Sequence, residues 1–213
     1  TNMDATDWVA DTNNGGVRAL DFDGGNQHVN CGTSSNIIAA GSVSVSLWCY
    51  LRTKSTGDRI FSNYSGSGSA ADGLVLISLL DDPTVGGTNY VWRASVKISG
   101  TQHNVFASSA STGVWSHVVM THDGSTLKIY VNNTLESSLA VSGTLPTSAN
   151  LLGLAEEPPI GGAAEGLDGR LDDIRVWSGT AIDASDVSYL YNSGNGRGRV
   201  VDPAPTGVTY HPL

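Results

Sequence analysis

The sequence predicts an all-β protein: two packed antiparallel sheets forming a sandwich, with one short helix near the C-terminus. Three observations carry this prediction. Apolar and polar residues alternate in short runs that recur roughly every ten residues, the period-2 signature of half-buried strands. Sustained helical periodicity is confined to one stretch, 183–192. The 26 Gly, with many Ser, Thr and Asn, suit strands joined by polar turns.

In chain order, strands are predicted at 18–22, 27–31, 43–52, 59–62, 74–80, 89–98, 104–107, 114–121, 126–132, 135–141, 149–154 and 167–177. The 43–52 run sends Val43, Val45, Leu47, Cys49 and Leu51 one way, and 89–98 does the same with Tyr90, Trp92, Ala94, Val96 and Ile98. The runs 114–121 and 126–132 flank His122-Asp-Gly-Ser, where Gly124 supplies the positive φ of a hairpin turn. Asn132-Asn133 reads as a second tight turn, so these two runs and 135–141 form a meander. In 183–192, Val187, Leu190 and Tyr191 fall at helical spacing behind Asp183 or Ser185 as cap, and Gly194 ends the helix. Residues 64–72, 81–88 and 155–166 are loops rich in Gly, Ser or Pro. The domain is expected to span 1–198 with its core at 17–193. Residues 199–213, carrying Pro203, Pro205 and Pro212, form an extended tail.

With 213 residues the chain can bury a large core, so Cys31 and Cys49 need not staple it. A disulfide between them and two free thiols both fit the sequence. The formal charge of -9 repels nucleic-acid phosphate, and no apolar stretch approaches the ~18 residues that span a bilayer. Neither nucleic acid nor membrane insertion is expected. The chain begins at Thr1 and is read as a processed product or excised segment. Asn63 and Asn132 head glycosylation sequons, a weak signal.

Five segments, in order, resemble laminin G-like (concanavalin A-like) jelly rolls. They are Ala19-Leu-Asp-Phe-Asp-Gly-Gly-Asn-Gln-His-Val, Val43-Ser-Val-Ser-Leu-Trp-Cys-Tyr-Leu, Gly113-Val-Trp-Ser-His-Val-Val-Met-Thr-His-Asp-Gly with the following Leu127-Lys-Ile-Tyr-Val-Asn, Gly169-Arg-Leu-Asp-Asp-Ile-Arg-Val-Trp, and the helix carrying Val187, Leu190 and Tyr191. The resemblance implies a jelly-roll sandwich. Family domains usually carry a strand upstream of the first segment, and only residues 1–17 are available here to supply it. The resemblance also implies a structural Ca²⁺ site where the opening segment meets the late strand. Its ligands would be Asp23 and Asp172, with Asp173 and Asn26 as neighbours, since Ca²⁺ takes ~6–8 oxygens. The competing reading is that Arg170 or Arg175 neutralises these carboxylates and no metal binds.

Aromatic rings offer flat apolar faces to sugars, and Tyr64, Tyr90 and Trp92 are the candidate platforms, with Trp177 a further ring near a strand end; each type is more often a core filler. Trp48 and Trp115 read as structural. Catalytic patterns are not evident: Glu156-Glu157 runs into Pro158-Pro159, Gln102-His103 has the wrong spacing for a lyase, and the five His lack metal-type spacing. The expected function is a non-catalytic binding or adhesion module recognising carbohydrate or a protein partner, outside the cell or on a cell or virion surface. The alternative is a structural component of a virion, fibre or surface assembly that forms homo-oligomers through its termini. A polysaccharide-cleaving enzyme is the third reading.

Overall fold

A computed structural model describes residues 8–9, 19–25, 27–64, 73–81, 89–155 and 166–196. Its strands are β1 Trp8–Val9, β2 Ala19–Asp23, β3 Val29–Thr33, β4 Val43–Leu51, β5 Arg59–Ser62, β6 Val75–Asp81, β7 Tyr90–Ile98, β8 Thr101–Ser109, β9 Trp115–His122, β10 Thr126–Val131, β11 Thr134–Ala140, β12 Leu151–Leu154 and β13 Asp168–Ser178, followed by helix α1 Ala184–Tyr191. One sheet runs β1-β2-β13-β4-β9-β10-β11 and the other β3-β12-β5-β6-β7-β8. Every pairing between these strands is antiparallel. The strand upstream of the first family-like segment is present as β1, which pairs Trp8 with Leu20 and Val9 with Ala19.

The alternation read from the sequence sets the core. Val43, Val45, Leu47, Cys49 and Leu51 of β4 meet Ile60, Ile77, Leu79, Ala94 and Val96 from the facing sheet. Ser44, Ser46 and Trp48, on the other side of β4, are buried as well. They are covered because α1 folds back across the outer face of the first sheet. There Val187 and Leu190 pack with Val119, Tyr130, Trp177 and Ile182 in a second apolar cluster. Ser44 Oγ ties this arrangement by accepting the Ile182 N–H at 2.9 Å and donating to the Thr180 carbonyl at 3.1 Å.

Local chemistry fixes both the meander and the helix. Asn132 and Asn133 have φ of 49° and 68°, the left-handed pair that a two-residue hairpin between β10 and β11 requires and that Asn tolerates. Asp183 is the helix cap: its carboxylate accepts the N–H groups of Ser185 and Asp186, and Asp186 returns a bond to the Asp183 N–H. Cys31 lies on β3 and Cys49 on β4, in different sheets, and both are free thiols. Burial pushes the Cys31 thiol up to about 11 and Cys49 higher still, with Asp58 adding to the second shift.

Candidate functional site

The sequence-predicted residues divide among four places. Asp23 ends β2, and its register partner across the ladder is Asp168, not Asp172. Asp172 lies four residues further along β13, opposite Trp48 of β4. Four strand residues span about 13 Å, whereas Ca²⁺ holds its oxygens at ~2.3–2.6 Å. Asp23 and Asp172 therefore cannot share an ion. Asp173 sits in a β-bulge with φ of 47°, and its carboxylate takes both Nε (2.6 Å) and Nη2 (2.9 Å) of Arg175. Asn26 lies outside the described residues. Among the described residues no three His, Cys, Asp or Glu side chains are grouped to hold a metal. Of the residues expected to bind Ca²⁺, Asp23 and Asp172 are thus separated by register and Asp173 is held by Arg175.

The three aromatic candidates do not share a surface either. Trp92 is 1% exposed and points into the core, so it cannot present a face to a ligand. Tyr64 is half-buried against Leu74 and Leu76 with the Arg59 guanidinium 5.4 Å over its ring. Tyr90 starts β7 opposite Asp81, with Lys54 Nζ 6.0 Å from its ring centroid. Tyr64 follows β5, whose Ser62 pairs with Leu76, so the two tyrosines lie near opposite ends of β6, about 20 Å apart by strand rise. Trp177 is buried under α1.

What the fold does assemble is an open cleft of about 420 Å³ at the C-terminal end of α1. One wall is Asn133 of the β10–β11 turn; the other is Ser185, Ser188, Tyr189, Tyr191, Asn192 and Ser193. Each wall carries left-handed residues, Asn133 on one and Asn192 and Ser193 on the other. Asn192 and Ser193 continue past the helix with φ of 48° and 57°, a conformation disfavoured for non-glycine residues. The Asn192 amide bonds the Gly196 carbonyl at 2.7 Å, holding that turn.

The Tyr191 ring is fixed from beneath. It stacks on Trp48 (5.8 Å between centroids, 10° between planes) and on His117 (6.1 Å, 26°), which stack on each other at 5.1 Å. Ser46 Oγ lies 2.8 Å from His117 Nε2, and Asn132 Oδ1 accepts the His117 N–H at 2.9 Å. Burial, with Arg175 nearby, lowers the His117 pKa to about 3, so the ring is neutral at ordinary pH. Trp48 Nε1 and His117 Nδ1 are buried with no hydrogen-bond partner among the described residues.

Sequence reasoning placed Asn132-Asn133 in a turn and Tyr191 on the helix, but did not bring them together. Local spacing carried little signal for it: Tyr189, which falls off the Val187–Leu190 stripe, still packs half-buried against the second apolar cluster.

The chain matches the sequence model of a laminin G family, described as the concanavalin A-like lectin/glucanases superfamily, over residues 23–188. It belongs to that superfamily. Among curated protein sequences none matches. Solved structures of the same fold include domain 4 of AbnA, a GH43 extracellular arabinanase from Geobacillus stearothermophilus, in complex with arabinotriose. That domain is 18% identical, with 85% of this chain and 80% of that one covered and a TM-score of 0.61. The heptameric SAP-like pentraxin from Limulus polyphemus is 19% identical, with 90% of each chain covered and a TM-score of 0.60. The CBM40 of the Ruminococcus gnavus IT-sialidase, bound to alpha2,3 sialyllactose, is 11% identical, with 81% and 95% covered and a TM-score of 0.63. At these identities the likeness is one of fold.

Proposed function

We propose that this chain is a non-catalytic carbohydrate-binding module, working outside the cell, that takes a neutral sugar in the cleft beside α1. The observation carrying this reading is the composition of the cleft: two tyrosines with Ser and Asn side chains, and, among the described residues, no carboxylate, Lys or Arg in its lining. A sugar ring has an apolar CH face that suits a tyrosine and a fringe of hydroxyls that both donate and accept. Ser hydroxyls and Asn amides do both as well. The volume falls in the ~300–1,000 Å³ range of small-ligand sites. Glycoside hydrolysis needs two carboxylates flanking the bond, which the described lining residues do not supply, so binding is the better fit. The formal charge of -9 opposes anionic glycans and favours neutral ones. Sugars bound to domain 4 of AbnA and to the CBM40 show that sandwiches of this fold can carry such sites, which supports the reading.

Retention in native gels cast with neutral and with acidic polysaccharides tests it. The expected result is retardation by a neutral polysaccharide, abolished by Ser188→Trp, which fills the cleft from an exposed position and leaves the fold intact. No retardation by any neutral polysaccharide, or full retention by the Trp variant, sinks the proposal. A structural role has one observation in its favour. β11 is the outermost strand of its sheet among the described residues, with Leu135 48% and Leu139 39% exposed. Such an edge is a template for pairing with another chain. Concentration-dependent sedimentation would favour that role.

A further inference from the structure

We infer that a guanidinium, that of Arg52, serves as the resident cation at the junction of β2, β13 and β4, where a divalent metal was expected, and that the chain folds without one. Arg52 follows β4 directly, and its backbone N–H donates to the Asp168 carbonyl at 2.9 Å, which fixes the start of the side chain beside β13. All three guanidinium nitrogens are then spent on oxygens. Nε donates to Asp168 Oδ1 at 2.6 Å, Nη1 to Asp21 Oδ1 at 2.5 Å, and Nη2 to the Phe22 carbonyl.

Two carboxylates and a main-chain carbonyl converging on one point are the donor set a hard cation takes. Here a planar fork fills it, with the geometry that makes arginine suited to more than one carboxylate at once. The remaining carboxylate oxygens are also engaged. Thr53 Oγ1 donates to Asp168 Oδ2 at 2.9 Å, and Arg170 Nε donates to Asp21 Oδ2 at 3.0 Å. Two aspartates face two arginines, so the formal charge of this group is zero. A divalent ion would have to displace a bonded guanidinium and add uncompensated charge. Among the described residues, the neighbouring carboxylate of Asp23 folds back to accept the Gly25 N–H at 2.9 Å.

The side chain of Arg52 is 34% exposed, that of Asp21 18% and that of Asp168 25%, so the network is a rim feature and water screens it. Its consequence is specific all the same. Remove the guanidinium and the two aspartates are left facing each other across an oxygen-lined gap that an added cation can fill.

The experiment is a thermal melt of the full chain in EDTA and again after excess CaCl₂. For the unmodified protein the melting temperature is expected to be the same in both. For Arg52→Ala it is expected to fall by a few degrees in EDTA and to recover in part with CaCl₂, but not with an equal ionic strength of NaCl. A calcium-dependent rise in the unmodified protein overturns the inference. So does a folded Arg52→Ala that gives no calcium-specific recovery. If Arg52→Ala fails to fold in either buffer, Arg52→Gln, which keeps most of the length and one NH₂ donor, is read by the same criteria. Sugar retention plays no part in these readouts, so this inference and the proposed function fail independently.

Discussion

The two ends of β13 are held by different physics. At the Asp168 end the strand is fastened by charge: Arg52 and Arg170 bridge Asp21 and Asp168 in a partly exposed network. At the Trp177 end it is fastened by burial: Trp177 is 3% exposed beneath α1, with Ile182, Val187 and Leu190 around it. Between them lies the Asp173–Arg175 pair, whose side chains are only 12% and 10% exposed. Exposed ion pairs contribute ~0–1 kcal/mol, whereas a buried large aromatic contributes several. The charged end therefore aligns β2, β13 and β4 and sets what may sit there. The apolar end anchors the helix, and with it the cleft.

That contrast can be broken most sharply at Trp177. Trp177→Ala removes the centre of the second apolar cluster and is expected to cost about 3–5 kcal/mol, lowering the Tm on the order of 10 °C. Denaturant melts followed by circular dichroism measure it, and a loss under about 1 kcal/mol would mean that α1 is not anchored by this ring. A smaller effect is expected in the middle of the strand. Asp173→Ala leaves the Arg175 guanidinium buried without this carboxylate, at a cost of about 3 kcal/mol. If the substitution proves neutral, the pair belongs with the rim network instead.

The effect that is smallest per pH unit concerns the stack under Tyr191. His117 has a folded-state pKa near 3, below its unfolded value of 6.5. As pH falls through about 6.5 the unfolded chain binds a proton that the folded chain refuses until near 3. Stability is thus fully present above that window and lost on acidification within it, by roughly 1 kcal/mol per pH unit. Melting His117→Phe alongside the unmodified chain across the window should show a shallower fall in the variant. Parallel curves would mean that His117 titrates normally.

Much of the fold is legible in the residues themselves. Strand 59–62 was predicted with its observed bounds, and 126–132 with one residue too many, because period-2 alternation and turn residues are local signals. The helix was legible for the same reason, since Asp183 and Asp186 are three residues apart on the chain and form a capping box wherever that helix starts. The meander followed from Asp123-Gly124 and Asn132-Asn133, whose preferred dihedrals turn the chain before any tertiary contact forms. The candidate site was much less legible. Asp23 and Asp172 belong to family-like segments that do pair, yet a register of Asp23 with Asp168 puts them a full four residues apart.

The sequence by itself determined the strand pattern, the turns, the helix and the inward set on β4, each decided by residues within a few positions of one another. Only the tertiary structure decided that β4 is covered on both faces, that Trp92 is sealed in the core, and that Tyr191 stacks on Trp48 143 positions away in sequence order (191 − 48). It alone decided that Arg52 lies between Asp21 and Asp168. Alternation fixes the phase of a strand but not its register against strands far away in the chain. Register, together with the path of α1 across the sheet, places the carboxylates and rings that give this surface its chemistry.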